Sequence, residues 1–245
     1  RHGERWASAI SAREALPVGI GAEGGVYDLG EDEKAYRSFA GAAPDDLSTN
    51  PPRAENLICS SVPDAMLELW DLTGDSRFRA ACERIIDAAT EELENPIAWQ
   101  VHAAVRRYRE ATGSTRYDEQ VRAISRESLR PIERLTLRPD PETRVVSGPI
   151  RMRADKPDWL DETGKPAPSP LLQALFGRVT GDEALLVAAV DLAFAHFRLG
   201  ERVYGDVTHH GCGSRSLSAV CRGHGRLNGA GVVTEVLDPI VRASE

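Results

Sequence analysis

Tyr204, His209, His210 and Arg215 fall in one short stretch, "YGDVTHHGCGSRS". These are the residue types that cleavage of an acidic glycan needs. Arg or His can neutralise a uronate carboxylate, while Tyr or His takes the C5 proton or protonates the leaving oxygen. The plainer alternative is a Gly-rich connecting loop with incidental histidines. Cys212, Cys221 and His224 lie in and after the same stretch and are zinc-ligand types. Their spacing matches no standard zinc knuckle, and Cys221 falls in line with Leu217 and Val220, as a buried core thiol would.

A second group is Arg53, Glu55, Asn56 and Asp64. On one continuous helix Asn56, Ser60 and Asp64 form a polar i, i+4, i+8 stripe opposite an apolar one. That stripe is either a solvated face with Asn56 as helix cap or a sugar-binding wall with Asp64 or Glu55 as acid or base. A third group is Trp99, Gln100 and His102. Trp stacks on sugar rings and His moves protons near neutral pH; the alternative is a Trp packed inside a hairpin and a surface His. "VGIGAEGG" lacks the strand-helix context and the Gly-Lys-Ser/Thr ending of a phosphate loop, and a mobile loop is expected there.

The elements that must position these residues are helical. Gly74, Gly113 and Gly181 share a pattern of large apolar residues five before, four after and eleven after. Glycine takes the left-handed position that ends a helix. Asp75, Ser114 and Asp182 then N-cap a returning helix. Ile58, Val62, Ala65, Met66 and Leu69 face Phe78, Ala81, Ile85 and Ala89. Val101, Ala104, Val105 and Tyr108 face Tyr117, Val121 and Ile124. Leu172, Leu175, Phe176 and Val179 face Leu185, Ala189, Leu192 and Ala193. A fourth, degenerate hairpin is expected from "SRSLSAVCRGHG" and "AGVVTEVLDPIVRA", with Pro239 kinking or ending the latter. In front, helices are expected at "GERWASAISAREAL" and near "DEKAYRSFAG". The stretch from about 130 to 168 contains "TRVVSGPIRMRADKPDW", which has the composition of a long loop with a short β-hairpin.

Composition agrees with this outline. The chain has 245 residues, 41% hydrophobic and 6% aromatic, with a net charge of -8. The acidic balance argues against nucleic-acid binding through a dominant basic field. No apolar run reaches the roughly 20 residues of a membrane helix, and no signal peptide is visible after Arg1. Across a hairpin turning at Gly74, Cys59 and Cys82 are offset by on the order of 10 Å, too far for a disulfide. Free thiols are expected there.

Short Thr-Gly-Asp turns, an aromatic or Leu soon after, and an Ala-rich returning helix resemble the α/α-toroid superfamily. That group includes six-hairpin glycosidases, N-acylglucosamine-epimerase-like enzymes and toroid polysaccharide lyases. The resemblance covers roughly residues 56 to 197. It implies an all-α domain of antiparallel helical hairpins over 1–245, closed as a toroid or forming an open part of one, with a long insertion at about 130–168. It also implies an active site on the long-loop rim, near the N-termini of the inner helices. The expected function is a carbohydrate-active enzyme, lyase or glycoside hydrolase, on a polysaccharide or oligosaccharide, without a cofactor. The catalytic candidates are Glu55, Asp64, His102, Tyr204, His209 and His210; the substrate-binding candidates are Arg53, Asn56, Trp99, Gln100 and Arg215. Two alternatives stand beside it. One is a non-catalytic helical-repeat module that binds a protein. The other resembles the lanthionine-synthetase-like toroid cyclases, with zinc on Cys212, Cys221 and His224, although those enzymes carry an adjacent Cys-His-Gly where this chain has "CRGHG".

Overall fold

The structure is a computed structural model. It describes residues 1–21, 25–27, 50–95, 98–132, 136–137, 159–165, 167 and 169–204, and backbone alone at 27, 51–52, 59, 99, 136–137, 159–160 and 196–204. The described chain is mostly helical. Its helices are α1 (His2–Ser11), α2 (Asn50–Cys59), α3 (Val62–Thr73), α4 (Ser76–Asp87), α5 (Trp99–Thr112), α6 (Asp118–Arg122), α7 (Pro170–Thr180) and α8 (Glu183–Tyr204). Short 3-10 turns occupy Thr90–Glu94 and Arg126–Leu129. Strands β1 (Gly19–Ile20) and β2 (Val26–Tyr27) pair antiparallel, Gly19 opposite Tyr27. Strands β3 (Thr136–Leu137) and β4 (Trp159–Leu160) do the same, Thr136 opposite Leu160. Residues 1–93 with 103–117 form one compact unit, and residues 94–102 with 118–245 form a second.

The three expected glycine turns are present. Gly74, Gly113 and Gly181 have φ of 69°, 65° and 75°. The threonine before each glycine has its own task. Thr73, Thr112 and Thr180 donate their hydroxyls to the carbonyls of Leu69, Tyr108 and Phe176 at 2.6, 2.7 and 2.8 Å. This is the back-bond of a helical Thr to the carbonyl one turn earlier, while the N–H of each glycine takes the next carbonyl, of Trp70, Arg109 and Gly177. Asp75 then accepts from the Arg77 amide at 3.0 Å, and Asp182 from the Leu185 amide at 3.2 Å.

In the first unit α4 packs on both α1 and α3. Gly3 lets α1 also approach α3 closely: a Cβ there would stand 2.2 Å from Leu69 Cδ1. Arg84 of α4 donates to the carbonyls of Ser11, Arg13 and Glu14, closing the C-terminal end of α1. Ile10, Met66, Phe78, Ala81, Ile85, Ile86 and Tyr108 fill the core. Each large apolar side chain there contributes roughly 1.5–3 kcal/mol. Cys82 is a free, buried thiol that burial pushes up in pKa, which makes it unreactive.

Two expected helices are interrupted. The helix expected from Asn56 to Leu69 breaks at Ser60–Ser61, where Ser61 is left-handed at φ 58°. Pro63 is the cause. Proline lacks the N–H that a continuing helix requires and fits only the first turn of a new one. Asn56 is therefore inside α2 rather than a cap. After Gly113 the returning helix shrinks to the five-residue α6, preceded by Tyr117, whose hydroxyl donates to Asp87 at 2.9 Å. The ends of "VGIGAEGG" meet at the β1–β2 ladder, with Gly21 N–H donating to Gly25 O at 2.9 Å; residues 22–24, where a mobile loop is expected, lie outside the described residues. The helix expected near 31–41 and the fourth hairpin lie outside the described residues.

In the second unit α7 is buried on every side from Pro170 to Gly177, as a central helix should be. It meets α8 across Gly181. Gly177 sets the crossing: a Cβ there would lie 2.9 Å from Asp182 O and 3.0 Å from Leu186. Gly177→Ala should therefore destabilise the protein by about 2 kcal/mol, because overpacking against backbone outweighs the helix-propensity gain of about 1 kcal/mol. Urea unfolding checks the sign; a more stable Ala variant would contradict the close approach.

Directly after β4, Asp161 is 2% exposed. Its Oδ1 accepts from Thr163 N, Thr163 Oγ1 and Lys165 N at 2.9, 2.7 and 2.9 Å. Its Oδ2 takes Arg130 Nε at 3.2 Å and Nη2 at 2.5 Å. Arg130 follows the Arg126–Leu129 turn, so one carboxylate joins the segment before β3 to the residue after β4.

Candidate functional site

In the first unit, α2 carries Arg53, Glu55 and Asn56, and α3 carries Asp64 in its first turn. The expected single stripe is split by the Ser60–Ser61 break. Arg53 is buried, and its Nη1 donates to Leu16 O at 2.8 Å. Nearby, Asn50 accepts from Leu16 N at 2.7 Å and donates to Glu14 O at 3.1 Å. Arg53 therefore helps fasten α2 to the segment after α1. Asn56 is buried and Glu55 half-buried.

Asp64 stands apart. It is half-buried, its side chain 25% exposed, and Arg107 Nε of α5 lies 3.0 Å from its Oδ1. The nitrogen is off the line of a hydrogen bond to that oxygen. Burial pushes the Asp64 carboxyl above the ordinary range; Arg107 and Arg106 oppose this, and Glu68 adds to it. Burial likewise lowers the Arg107 guanidinium, against the pull of Asp64. Both partners of the pair are thus held in surroundings that disfavour their charged forms. Arg106 is buried and paired with Glu110 at 2.6 Å. Arg106 and Arg107 were not signalled by the sequence, because their relation to Asp64 is formed between distant helices.

In the second unit, Trp99 opens α5, followed by Gln100 and His102. Gln100 is 6% exposed, and its Oε1 has no hydrogen-bond partner among the described residues. Gln173 of α7 repeats this: its Nε2 donates to Leu129 O and Arg130 O at 3.4 and 3.2 Å, while its buried Oε1 has none. His102 is fully enclosed, and its Nδ1 lies 3.1 Å from Ser169 Oγ. Ser169 caps α7 by accepting from Leu172 N at 3.2 Å. The hydroxyl has one proton and two lone pairs, so it can serve Leu172 N and the His102 ring together, in either direction toward Nδ1. The Ser-Pro start of α7 signals a cap, but nothing local predicts that it meets His102. An enclosed His102 positions α5 against α7; it does not present a ring to a ligand.

Tyr204 is the last residue of α8, and its side chain, with that of Trp99, is not described. His209, His210, Arg215, Cys212, Cys221 and His224 lie outside the described residues. Among the described residues no group of three His, Cys, Asp or Glu could hold a metal, and no helix is long and apolar enough to cross a membrane. Of the candidates whose side chains are described, Glu55 and Asp64 keep a solvent-facing part, and Asp64 has the charged partner and shifted carboxyl of a proton-transfer group. No protein-family model, curated protein or solved structure matches this chain.

Proposed function

We propose that the chain is a carbohydrate-active enzyme of the α/α-toroid type, acting on an acidic polysaccharide or oligosaccharide by lyase or glycoside-hydrolase chemistry. The observation that carries this is the Asp64–Arg107 pair. A carboxyl held above its usual range can carry a proton to a leaving glycosidic oxygen. A guanidinium in contact with it can take a uronate carboxylate instead, which makes the neighbouring C5 proton more acidic. The left-handed Ser61, three residues before Asp64, is the kind of backbone strain that accompanies such sites. In the lyase version, Asp64 protonates the leaving oxygen while Arg107 takes the uronate carboxylate; Tyr204, His209 and His210 are separate candidates for the base that removes the C5 proton. In the hydrolase version Glu55 is the second carboxylate. Arg53, Asn56 and Gln100, expected to bind substrate, are buried and serve the packing of their helices instead; Trp99 and Arg215 remain candidate substrate contacts, and the proposed chemistry uses no cofactor.

The test is a panel of neutral and uronate-containing glycans, read by reducing-end release and by absorbance of an unsaturated uronate. Lyase action gives both signals; hydrolysis gives reducing ends alone. Silence in both read-outs across the panel would sink the proposal.

A further inference from the structure

We propose that a groove along α1 holds the carboxylate groups of an extended acidic oligosaccharide, apart from the Asp64–Arg107 pair. The class of ligand rests on the glycan reading above; the groove itself does not. It is an open cavity of about 670 Å³ lined by α1 and by Val26 of β2, the size of a small-ligand site. α1 turns Ala7 and Ile10 into the core. The groove follows the other side of the helix, where Arg5 and Ser8 are exposed. Ser8, Ala9 and Ala12 line it, and side chains this short leave the space open.

The charge of the groove selects an anion. Arg1, Arg5 and Arg13 line it, and Glu4 is the one carboxylate among the described lining residues. In a chain of net charge -8 this is a local excess of positive charge. Guanidinium forks pair with carboxylates through two parallel hydrogen bonds. Arg5 and Arg13 are eight positions apart, about 12 Å at helical rise. A single compact anion reaches one of them at a time, whereas an oligomer with a carboxylate on each ring reaches both. Single-stranded nucleic acid is also an extended polyanion, but its binding adds stacking of bases on aromatic rings. None of the described lining residues is aromatic. The walls are set before a ligand arrives. Arg84 of α4 donates to the carbonyls of Arg13 and Glu14, which fixes the backbone carrying Arg13. Val26 is held opposite Ile20 in the β1–β2 ladder. Such preorganisation lowers the ordering cost of binding.

The experiment is a calorimetric titration of the full chain with a galacturonic-acid hexamer, a glucose hexamer and inorganic polyphosphate, with amide NMR shifts recorded alongside. The uronate hexamer should bind, shift the Ser8, Ala9 and Ala12 amides, and weaken as salt rises. Arg5→Gln and Arg13→Gln should each raise Kd by about tenfold, while Asp64→Asn should leave those amide shifts in place. Should Arg13→Gln prevent folding, Arg5→Glu on the exposed helix face should raise Kd by about 100-fold. No uronate binding, unchanged affinity in an arginine variant, or equal or tighter binding of the glucose hexamer or polyphosphate would overturn the inference. Shifts at these amides without cleavage of any glycan would keep the groove and sink the enzymatic reading. Cleavage without those shifts would do the reverse.

Discussion

Asp64→Asn should abolish most of the turnover on whichever glycan responds, a loss of about 10²- to 10⁴-fold, while leaving the fold intact. Asn keeps the shape of the side chain but cannot deliver a proton. The stability change should be small, because two effects oppose each other. The substitution removes a carboxylate whose burial costs free energy, and it leaves the Arg107 guanidinium without that partner. The pH behaviour separates the two. A raised carboxyl binds its proton more tightly in the folded chain than in the unfolded one. Asp64 therefore weakens the folded state as pH rises from the unfolded value of about 3.9 through its folded value. That slope should vanish in Asp64→Asn. In the enzyme assay, the wild type should lose activity as pH rises above the Asp64 value, since the acid form is the working form. Turnover within about threefold of wild type, with an unchanged pH profile, would remove Asp64 from the mechanism.

Asp161→Ala should be the most damaging single change to stability, at about 3–5 kcal/mol, the usual cost of removing one partner from a buried ion pair. Five hydrogen bonds end on this carboxylate. Without it the Thr163 and Lys165 amides lose their acceptor, and Arg130 loses its closest ion pair while keeping its bond to Glu127 O. Hydrogen exchange at those two amides should accelerate by at least about 10²-fold, and Tm should fall by on the order of 10 °C. Asp161→Asn should fall between, since it retains one acceptor but turns donors toward Arg130. Burial pushes the Asp161 carboxyl up, but Arg130, Thr163 and the two amides hold it well below the ordinary carboxylate range. Its contribution is therefore complete above the unfolded value of about 3.9 and is lost as pH falls through the folded one. Asp64 and Asp161 should thus tilt the stability curve in opposite directions. Unchanged amide exchange in Asp161→Ala would show that the turn holds itself.

The features legible in the sequence were local. A Thr-Gly pair followed by Asp or Ser marks a left-handed turn because the backbone conformation, the hydroxyl bond and the cap all lie within a few residues. That logic located Gly74, Gly113 and Gly181, and with them the α3–α4 and α7–α8 pairs. It overshot where distant contacts intervene. The apolar period runs unbroken through Ile58, Val62 and Met66, so it concealed the break that Pro63 imposes. After Gly113, Asp87 fixes Arg116 and Tyr117 from another helix, and Glu94 accepts the Ser125 amide at 2.8 Å. No reading of "STRYDEQVRAIS" alone contains either partner. The candidate site divides in the same way. Asp64 is visible as a carboxylate on a polar stripe, but Arg107 is not, and His102 looks reactive until Ser169 and full enclosure are seen.

The Arg130–Asp161 clasp has a consequence for engineering. Adjacent strands stand about 4.8 Å apart, so the chain leaves along β3 and re-enters along β4 through a single narrow gate. The ends of the excursion are fixed independently of what connects them. Doubling the length of a flexible connection costs only about 0.6 kcal/mol. Leu137 and Trp159 therefore behave as a socket, their separation set by the ladder and by the Arg130–Asp161 clasp.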